Sequence, residues 1–513
     1  MAWWNPFSWG KKQQVQPDSS SWYRRGYAGA IFNRLTAGWK AFSTSQDAET
    51  YVALKVLRNR SRDLVRNNDY AKGALRIITN NVVGRGITLQ SQVKRRRGNK
   101  LDDKVNAQIE AAWEEWSKKR YCHVAGKLSF KQIQRLVMRS VVESGEVLIR
   151  FVEKSFDGSP VPLALEIIEA DQLCEEDSLL LSRNGNQIRM GVEVDRWGRP
   201  VNYWIYPTHP GDAHFGPTSP TPEPIPAEEI LHIYVCERPG QTRGVPWLHS
   251  GIMRLKNLGG AEEAEVVAMR VAANYMGFIK TLDVEGTIAA NPQGDGGKSE
   301  YYMEPGMIDV LGPGEDFVGF TPNRPNQGIA PFAQHLIRGF GVGQGIDYST
   351  QSNDLSQTSY SSARVGLINE RDGWQILQDW LIEELCQPIF ERWLDRAVMA
   401  GVLNLPNYEV MEKFYCCPRW IPRGWFWIDP YKETVSSILG IRSGLTTLTR
   451  ELARQGLDIE AILHERKHEL DLAATLGVPL DVDVSKPSAV RPSNQSSTGD
   501  STDDENLDDP KED

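Results

Sequence analysis

Residues 60–87 read RSRDLVRNNDYAKGALRIITNNVVGRGI. The order of residue types in this stretch decides which kind of fold the chain can adopt. Asn68 and Asp69 interrupt a helix-forming run, and their side-chain oxygens can cap the next helix. Ala74, Ile77 and Ile78 then recur at helical spacing. Gly84 and Gly86 supply the backbone conformations that stop a helix and release the chain into a strand over 87–92. Upstream, Val52, Val56, Leu57 and Leu64 predict a helix over 48–67.

Working outward, the sequence predicts helices over 103–119 and 129–143, the first with Trp113 and Trp116 three apart on one face. Residues 145–206 read as strand-rich. Within them IRMGVEVDRWGRPVNYWIY (188–206) is a hairpin that turns at Gly198 and Pro200. The Pro-rich 207–227 is loop, EILHIYV is a strand, and ERPGQTRGVPWL (237–248) is a turn cluster. A helix-prone stretch, 248–276, is interrupted by Gly259 and Gly260, which weigh against one continuous helix. Residues 277–327 are rich in Gly and Pro, and a short helix over 329–340 is expected to end in the glycine series GFGVGQG. A long helix follows, its buried face marked by Trp374, Leu377, Leu381 and Leu385. Pro388 should kink it before it resumes through Ile389, Trp393, Leu394 and Val398 and stops at Gly401. Loop and strand are expected over 404–429, and two or three helices over 431–476. Helices and strands interleave without a βαβ rhythm, so the fold class is α+β.

The chain has 513 residues, 40% hydrophobic and 24% charged, enough for three or four folding units. Its six cysteines form no C-x-x-C pair, which points to free thiols in a reducing compartment. No apolar run approaches the roughly 18 residues that span a bilayer. The opening MAWWNPFSWGKKQQ is too interrupted for a signal-peptide core, so a cytoplasmic protein with no membrane partner is expected. Residues 1–100 carry 19 Lys and Arg against 5 Asp and Glu, whereas the whole chain has a net charge of -9. The basic part reads either as solvated helix faces or as a contact surface for nucleic acid or an acidic partner. Residues 1–45 read as an arm that orders against a partner. The composition of 485–513 predicts disorder, and the last fourteen residues hold 8 acids and one Lys.

Several motifs invite chemical readings. HERKH (464–468) puts His464 and His468 on one helix face beside Glu465, the arrangement of a zinc peptidase. Arg466 and Lys467 lie between the ligands and no third His follows, so a solvated helix is the better reading. GGKS (296–299) resembles the end of a phosphate-binding loop, but Pro292 stands where that loop needs Gly. Gly339, Gly341, Gly343 and Gly345 do not sit between a strand and a helix, and read as a hinge. Six residues of DLSQTSYSSARV (354–365) carry hydroxyls, yet His335 is the nearest histidine and no base can be aligned. Arg238 and Arg243 flank a turn and pair either with phosphate or, more naturally, with carboxylates. These readings give no enzyme, no metal and no cofactor.

Five stretches, in order, resemble the lambda-like family of tailed-bacteriophage portal proteins. They are RSRDLVRNNDYAKGALRIITNNVVGRGI, GVEVDRWGRPVNYWI, EILHIYVCERPGQTRGVPWL, YSSARVGLINERD and DPYKETVSSILGIRSGLTTLTRELARQGLD, together reaching from about 60 to about 460. The resemblance implies a ring of typically twelve copies at one capsid vertex of the virion, assembled in the host cytoplasm. Double-stranded DNA would pass through it, read without sequence preference. The implied partners are the terminase large subunit, which carries the motor, the major capsid and scaffold proteins, and head-completion or connector proteins. It also implies a portal-type order of parts: arm 1–45, wing 46–247, stem helix 248–276, clip 277–327, stem helix 328–343, tunnel loop 344–360, long helix and wing return 361–430, crown 431–480 and acidic tail 481–513. Gly259 and Gly260 fit a continuous stem helix poorly.

On that mapping the DNA-facing residues are Asp347, Ser349, Thr350, Gln351, Ser352, Asn353, Asp354, Ser356, Gln357, Thr358 and Ser359. From Ile346 to Ser362 there is no Lys or Arg. Affinity for duplex DNA comes largely from cations that neutralise phosphates, so this segment should let DNA slide. The helix after it is expected to start at Tyr360, and its Arg364, Glu370 and Arg371 are candidates for charge pairs between neighbouring copies.

Overall fold

The computed structural model describes residues 43–96, 100–175, 185–212, 221–274, 277–281, 315–319, 328–356, 358–425, 430–455 and 457–477, with Arg34, Gly38, Trp39 and Ala41 as isolated positions before them. The expectations for most of the arm, most of 277–327, the GGKS motif, Gln357 and the acidic tail lie outside the described residues. The chain divides into two units, one ending at Arg423 and the other starting at Gly424.

In the first unit, α1 (Gln46–Asn67) starts where Ser45 Oγ accepts the Ala48 N–H at 3.2 Å. Asn68 serves both sides of the break. Its own N–H closes α1 on the Leu64 carbonyl at 2.7 Å, and its side chain accepts the Ala71 N–H at 3.0 Å to start α2 (Asp69–Val82). The buried face of α1 is not the one its valines predict. Val52 is 80% exposed and Val56 is exposed too, while Leu54, Arg58, Ser61 and Val65 are buried. The reason is chemical: the inward stripe carries an arginine that finds carboxylates, so hydrophobic periodicity points the wrong way.

Gly84 (φ +58°) and Gly86 (φ +112°) end α2 and feed β1 (Thr88–Ser91). Two longer helices follow, α3 (Asp103–Trp116) and α4 (Phe130–Ser144), with a single helical turn over Lys119–Cys122 between them. Strands β2 (Glu146–Val152) and β3 (Ala164–Ile168) pair antiparallel. A second, antiparallel sheet runs in sequence order through β4 (Gln187–Arg189), β5 (Val192–Val194), β6 (Pro200–Ile205) and β7 (Glu223–Pro226), with the predicted hairpin at its centre. The chain then returns to the first sheet as β8 (Ile230–Tyr234), which pairs with β2. Leu148, Ile168, Val192, Tyr203, Ile205 and Ile230 form one core cluster that joins the two sheets.

The helix α5 (Ile252–Asn274) runs unbroken through Gly259 and Gly260. No atom lies within 4 Å of where a Cβ would stand at either glycine. The helix therefore carries only their intrinsic cost, about 1 kcal/mol each, and the alanine, glutamate and valine neighbours sustain it. After α5, β9 (Gly277–Thr281) pairs antiparallel with β10 (Glu315–Gly319).

The next helix, α6 (Ile329–Gln344), extends through most of the glycine series and ends at Gly345 (φ +68°). Those glycines are not a hinge. A Cβ at Gly339 would stand 2.2 Å from Arg254 Nη1, at Gly341 2.7 Å from the Ile346 carbonyl oxygen, and at Gly343 3.0 Å from Ser250 Oγ. At Gly341 close approach of backbone, and not flexibility, requires the glycine, whereas the arginine tip beside Gly339 can swing aside. Two further helices, α7 (Tyr348–Ser352) and α8 (Tyr360–Leu381), lead to a π-helical turn over Ile382–Cys386 and then α9 (Gln387–Met399). The ring of Pro388 would meet the carbonyl four residues earlier, that of Glu384, in an ordinary helix. The π turn absorbs that conflict at the expected place.

The span 404–429 contains an unpredicted helix, α10 (Tyr408–Tyr415), before β11 (Pro418–Ile421), which pairs with β1. Trp113 sits at the centre of an aromatic core, with ring centroids 5.0 Å from Trp393, 5.1 Å from Phe130, 5.6 Å from Phe390 and 5.9 Å from Trp420. All four pairs are edge-to-face, the arrangement the ring quadrupoles favour.

The second unit holds α11 (Pro430–Arg442), α12 (Leu448–Arg454) and α13 (Ile459–Leu476). Glu451 is buried there and accepts from Ser437 Oγ at 3.0 Å, Thr446 Oγ1 at 2.9 Å and Arg454 Nη1 at 3.0 Å.

Candidate nucleic-acid-facing segment

The segment 345–359 is held between the end of α6 and the start of α8. It is not loop throughout: Asp347 caps the short α7, its Oδ1 accepting from Ser349 N–H at 2.9 Å and Ser349 Oγ at 2.6 Å. Asn353 ends α7 in the left-handed region (φ +55°), which Asn tolerates better than most residues. Asp354 then accepts from Tyr348 Oη at 3.1 Å, Ser356 N–H at 3.0 Å and Ser356 Oγ at 2.6 Å. The Ser356 bonds, foremost, hold its carboxyl below the usual carboxylate range. Ser359 Oγ accepts the Ser362 N–H at 3.2 Å, so α8 begins at Tyr360 as expected from the sequence.

The hydroxyls and carboxylates of this segment thus satisfy one another. Ser352 Oγ donates to the Tyr348 carbonyl at 2.7 Å. Gln351 is buried and its Nε2 donates to the Tyr70 carbonyl at 2.8 Å, which ties α7 to α2. Thr350 Oγ1 donates to Glu370 Oε2 at 3.1 Å, and the Asp347 N–H donates to Glu370 Oε1. Burial raises the pKa of Glu370. Glu370, a candidate for pairing with a neighbouring copy, therefore makes its hydrogen bonds within its own chain. Asn353, Leu355, Ser356 and Ser359 remain exposed, and Thr358 is intermediate.

One cation bears on the segment from outside it. The Arg338 guanidinium lies 4.8 Å from the centroid of the Tyr348 ring. It lies on α6, ahead of the segment, so the absence of Lys and Arg over 346–362 hides it. Arg338 stands eight residues ahead of Ile346, so a search two to three helix turns back along the preceding helix would have found it.

The competing motifs resolve differently. His464, Glu465 and His468 all lie exposed on α13. Among the described residues, the one group of three ligand-type side chains with converging atoms is Glu169, Asp171 and His209. Two guanidinium groups already occupy that group: Arg62 pairs with both Glu169 and Asp171, and Arg58 meets Asp171 at 2.9 Å. A cation would have to displace them. Arg243 is fully buried and bidentate on Glu146, with Nε 3.0 Å from Oε2 and Nη2 2.6 Å from Oε1. It also donates to the Met190 and Ala170 carbonyls. Arg238 reaches the Thr44 carbonyl at 2.7 Å and Glu49 at 3.5 Å. The turn 237–248 is therefore structural, its arginines committed to carboxylates and backbone. All six cysteines are free, with Cys122, Cys174 and Cys386 buried. No helix of the described residues is long and apolar enough to cross a membrane.

The family model described as phage portal protein, lambda family, matches residues 32–378. A probable portal protein of Halomonas phage phiHAP-1 is 31% identical over 456 residues, covering 87% of this chain and 86% of the relative. Portal protein B of Escherichia phage lambda is 25% identical, covering 86% of this chain and 88% of its own length. The portal protein of Escherichia phage N15 is also 25% identical, covering 89% and 92%. Among solved structures, the neck of an empty gene transfer agent particle aligns with a TM-score of 0.43 and 12% identity, covering 82% of this chain and 97% of that one. That likeness is too loose to build on, but the sequence matches are not: the chain belongs to the lambda family of phage portal proteins.

Proposed function

We propose that copies of this chain close into a ring at one capsid vertex, and that double-stranded DNA passes through the ring during packaging and ejection. The observation that carries the DNA-facing assignment is the segment 346–362. It has no Lys or Arg, yet it is fixed in place by hydrogen bonds to α2 and α8. Duplex DNA presents one negative charge per about 1.7 Å of axis. A ring multiplies whatever cation each copy offers, so a cationic lining would hold the duplex and stall it. Hydroxyls and carboxylates that bond one another offer weak, rapidly exchanged contacts to water and phosphate. Asp347, Ser349, Thr350, Gln351, Ser352, Asn353, Asp354, Ser356, Gln357, Thr358 and Ser359 form this lining. Its exposed members meet DNA, and Thr350 and Gln351 hold the segment to the body. Arg364 and Arg371 on α8 pair across to neighbouring copies, while Glu370 steadies α7.

The chain acts as a structural conduit and not as an enzyme. The terminase large subunit supplies the motor and docks at the clip over 277–327. The major capsid and scaffold proteins surround the wing, and head-completion proteins later replace the motor. Assembly takes place in the host cytoplasm and the ring ends in the virion.

The test is packaging with a Leu355→Lys/Ser356→Lys variant against a Leu355→Gln/Ser356→Gln control. Both positions are exposed. The Lys variant should package less DNA per particle and recover as salt is raised, because released counterions drive the unwanted contact. Packaging and retention equal to the Gln control would overturn the reading.

A further inference from the structure

Two helices of the first unit turn apolar side chains to solvent, and they do so in matching patterns. On α1, Tyr51, Val52 and Val56 are exposed. Lys55, Arg60 and Arg66 share that outward side and are exposed as well. The one acid on α1 beyond Val52 is Asp63, which accepts from Asn67 Nδ2 at 2.7 Å. On α8, Val365 is 59% exposed, Ile376 is 70% exposed and Ile368 is exposed too. The exposed Asp372 and Asp379 stand in the same row, since 365, 368, 372, 376 and 379 follow the helical repeat. That row holds no Lys or Arg. The opposite faces of both helices are spent on the fold: Leu54, Arg58, Ser61 and Val65 are buried on α1, and Glu370, Trp374, Gln378 and Leu381 on α8. Grouped apolar exposure of this kind marks a surface that meets another molecule.

The two outward rows complement each other in order. Each helix is 22 residues long, and each row opens apolar and continues charged, basic on α1 and acidic on α8. The spacing agrees as well. Val52 to Arg66 is fourteen residues and so is Val365 to Asp379, about 21 Å of rise in each. Arg60 follows Val52 by eight residues and Asp372 follows Val365 by seven, an offset of about 1.5 Å that long side chains absorb. Laid side by side in the same direction, Val52 and Val56 meet Val365 and Ile368, Arg60 meets Asp372 and Arg66 meets Asp379. Reversing one helix would set the apolar end of each against the charges of the other. A second α1, or a second α8, laid in the same direction would set like charges together.

We propose that α1 of one copy packs in parallel against α8 of the next. The contact rests on the ring proposed above and names the two faces that close it. Because those faces differ, the contact is head-to-tail and repeats around a ring. Its apolar ends exclude water, and its charged rows set direction and register.

Cross-linking and sedimentation of the full-length protein test this. In a Cys236→Ser/Cys416→Ser/Cys417→Ser background, Val52→Cys and Val365→Cys in one chain should join copies into a ladder of multimers on oxidation with diamide. Val52→Cys paired with Met399→Cys, also at an exposed position, should not. Arg60→Glu/Arg66→Glu should raise the concentration at which rings form about tenfold, since two attractions become two repulsions in every contact. Adding Asp372→Arg/Asp379→Arg to the same chain should restore the parent value, which a merely misfolded variant would not do. Rings that form without the Val52–Val365 cross-link, or at the parent concentration after the arginine reversal, would overturn this contact and leave the conduit standing. A parent that never assembles would overturn the ring, and this contact with it.

Discussion

Glu146 is wholly buried, with Arg58 at 3.1 Å, Arg243 at 2.6 Å and His232 at 2.9 Å. Burial opposes its ionisation, but Arg243 and the hydrogen bond from His232 overcome that and hold its pKa far below the usual carboxylate range. Asp171 is lowered as well, Arg58 and Arg62 outweighing its burial. A folded pKa below the unfolded one means stability that is present above the ordinary carboxylate value and lost as pH falls towards the folded value. Urea unfolding followed by tryptophan fluorescence should therefore give a midpoint that holds from about pH 7 to about pH 5 and declines on further acidification. Glu146→Gln should cost about 3 kcal/mol at neutral pH, because Arg243 loses its closest carboxylate and Arg58 keeps only Asp171 and Glu175, and should flatten the acid slope. A cost below about 1 kcal/mol would show that the network does not hold α1, β2 and the 237–248 turn together. The sequence suggests carboxylate partners for Arg238 and Arg243, but it cannot name Glu146, which is 97 residues away. It misleads at Arg58, where the buried position of α1 is charged and Val52 and Val56 face outward.

Glycines inside the helices do opposite work in different elements, and substitution separates the two. At Gly260 nothing would meet a Cβ, so Gly260→Ala should stabilise α5 by about 0.5–1 kcal/mol, read as a raised unfolding midpoint. At Gly341 the new methyl would meet the Ile346 carbonyl, and backbone cannot swing aside as a side chain can. Gly341→Ala should therefore destabilise by about 1–3 kcal/mol despite alanine's better helix propensity. Equal effects at the two positions would contradict the close packing of α6. This is why a glycine count misreads both elements: the residue type is the same, and only the neighbouring chain distinguishes tolerance from necessity. Local chemistry is legible where it is self-contained. The Asn68 cap, the Gly84 and Gly86 stop, the Gly198 hairpin and the Pro388 interruption all appear where the sequence places them. The helix α10 escapes because it is short and only Tyr408 and Tyr415 mark its buried side, too few to set a period.

At the scale of the molecule, the α+β class follows from the interleaving of helices and strands, and five ordered stretches point to the family, which the comparison with known portal proteins bears out. The segment 346–362 is legible only in part. Its missing cations are visible in the sequence, but its anchoring is not, because Gln351 and Thr350 bond to α2 and α8 residues far along the chain or one helix onward. Those anchors turn a polar loop into a surface with fixed geometry, which is what a conduit wall requires. In the proposed ring, charge added there would act through every copy at once, so the Lys variant described above should affect packaging far more than it affects folding. The central claim is that this surface lines a channel. Electron cryomicroscopy of the purified full-length protein tests it most directly. The account predicts closed rings with a central hole wide enough for duplex DNA and residues 346–359 at its wall. A persistent monomer or dimer, or a ring carrying that segment on its outer face, would contradict it.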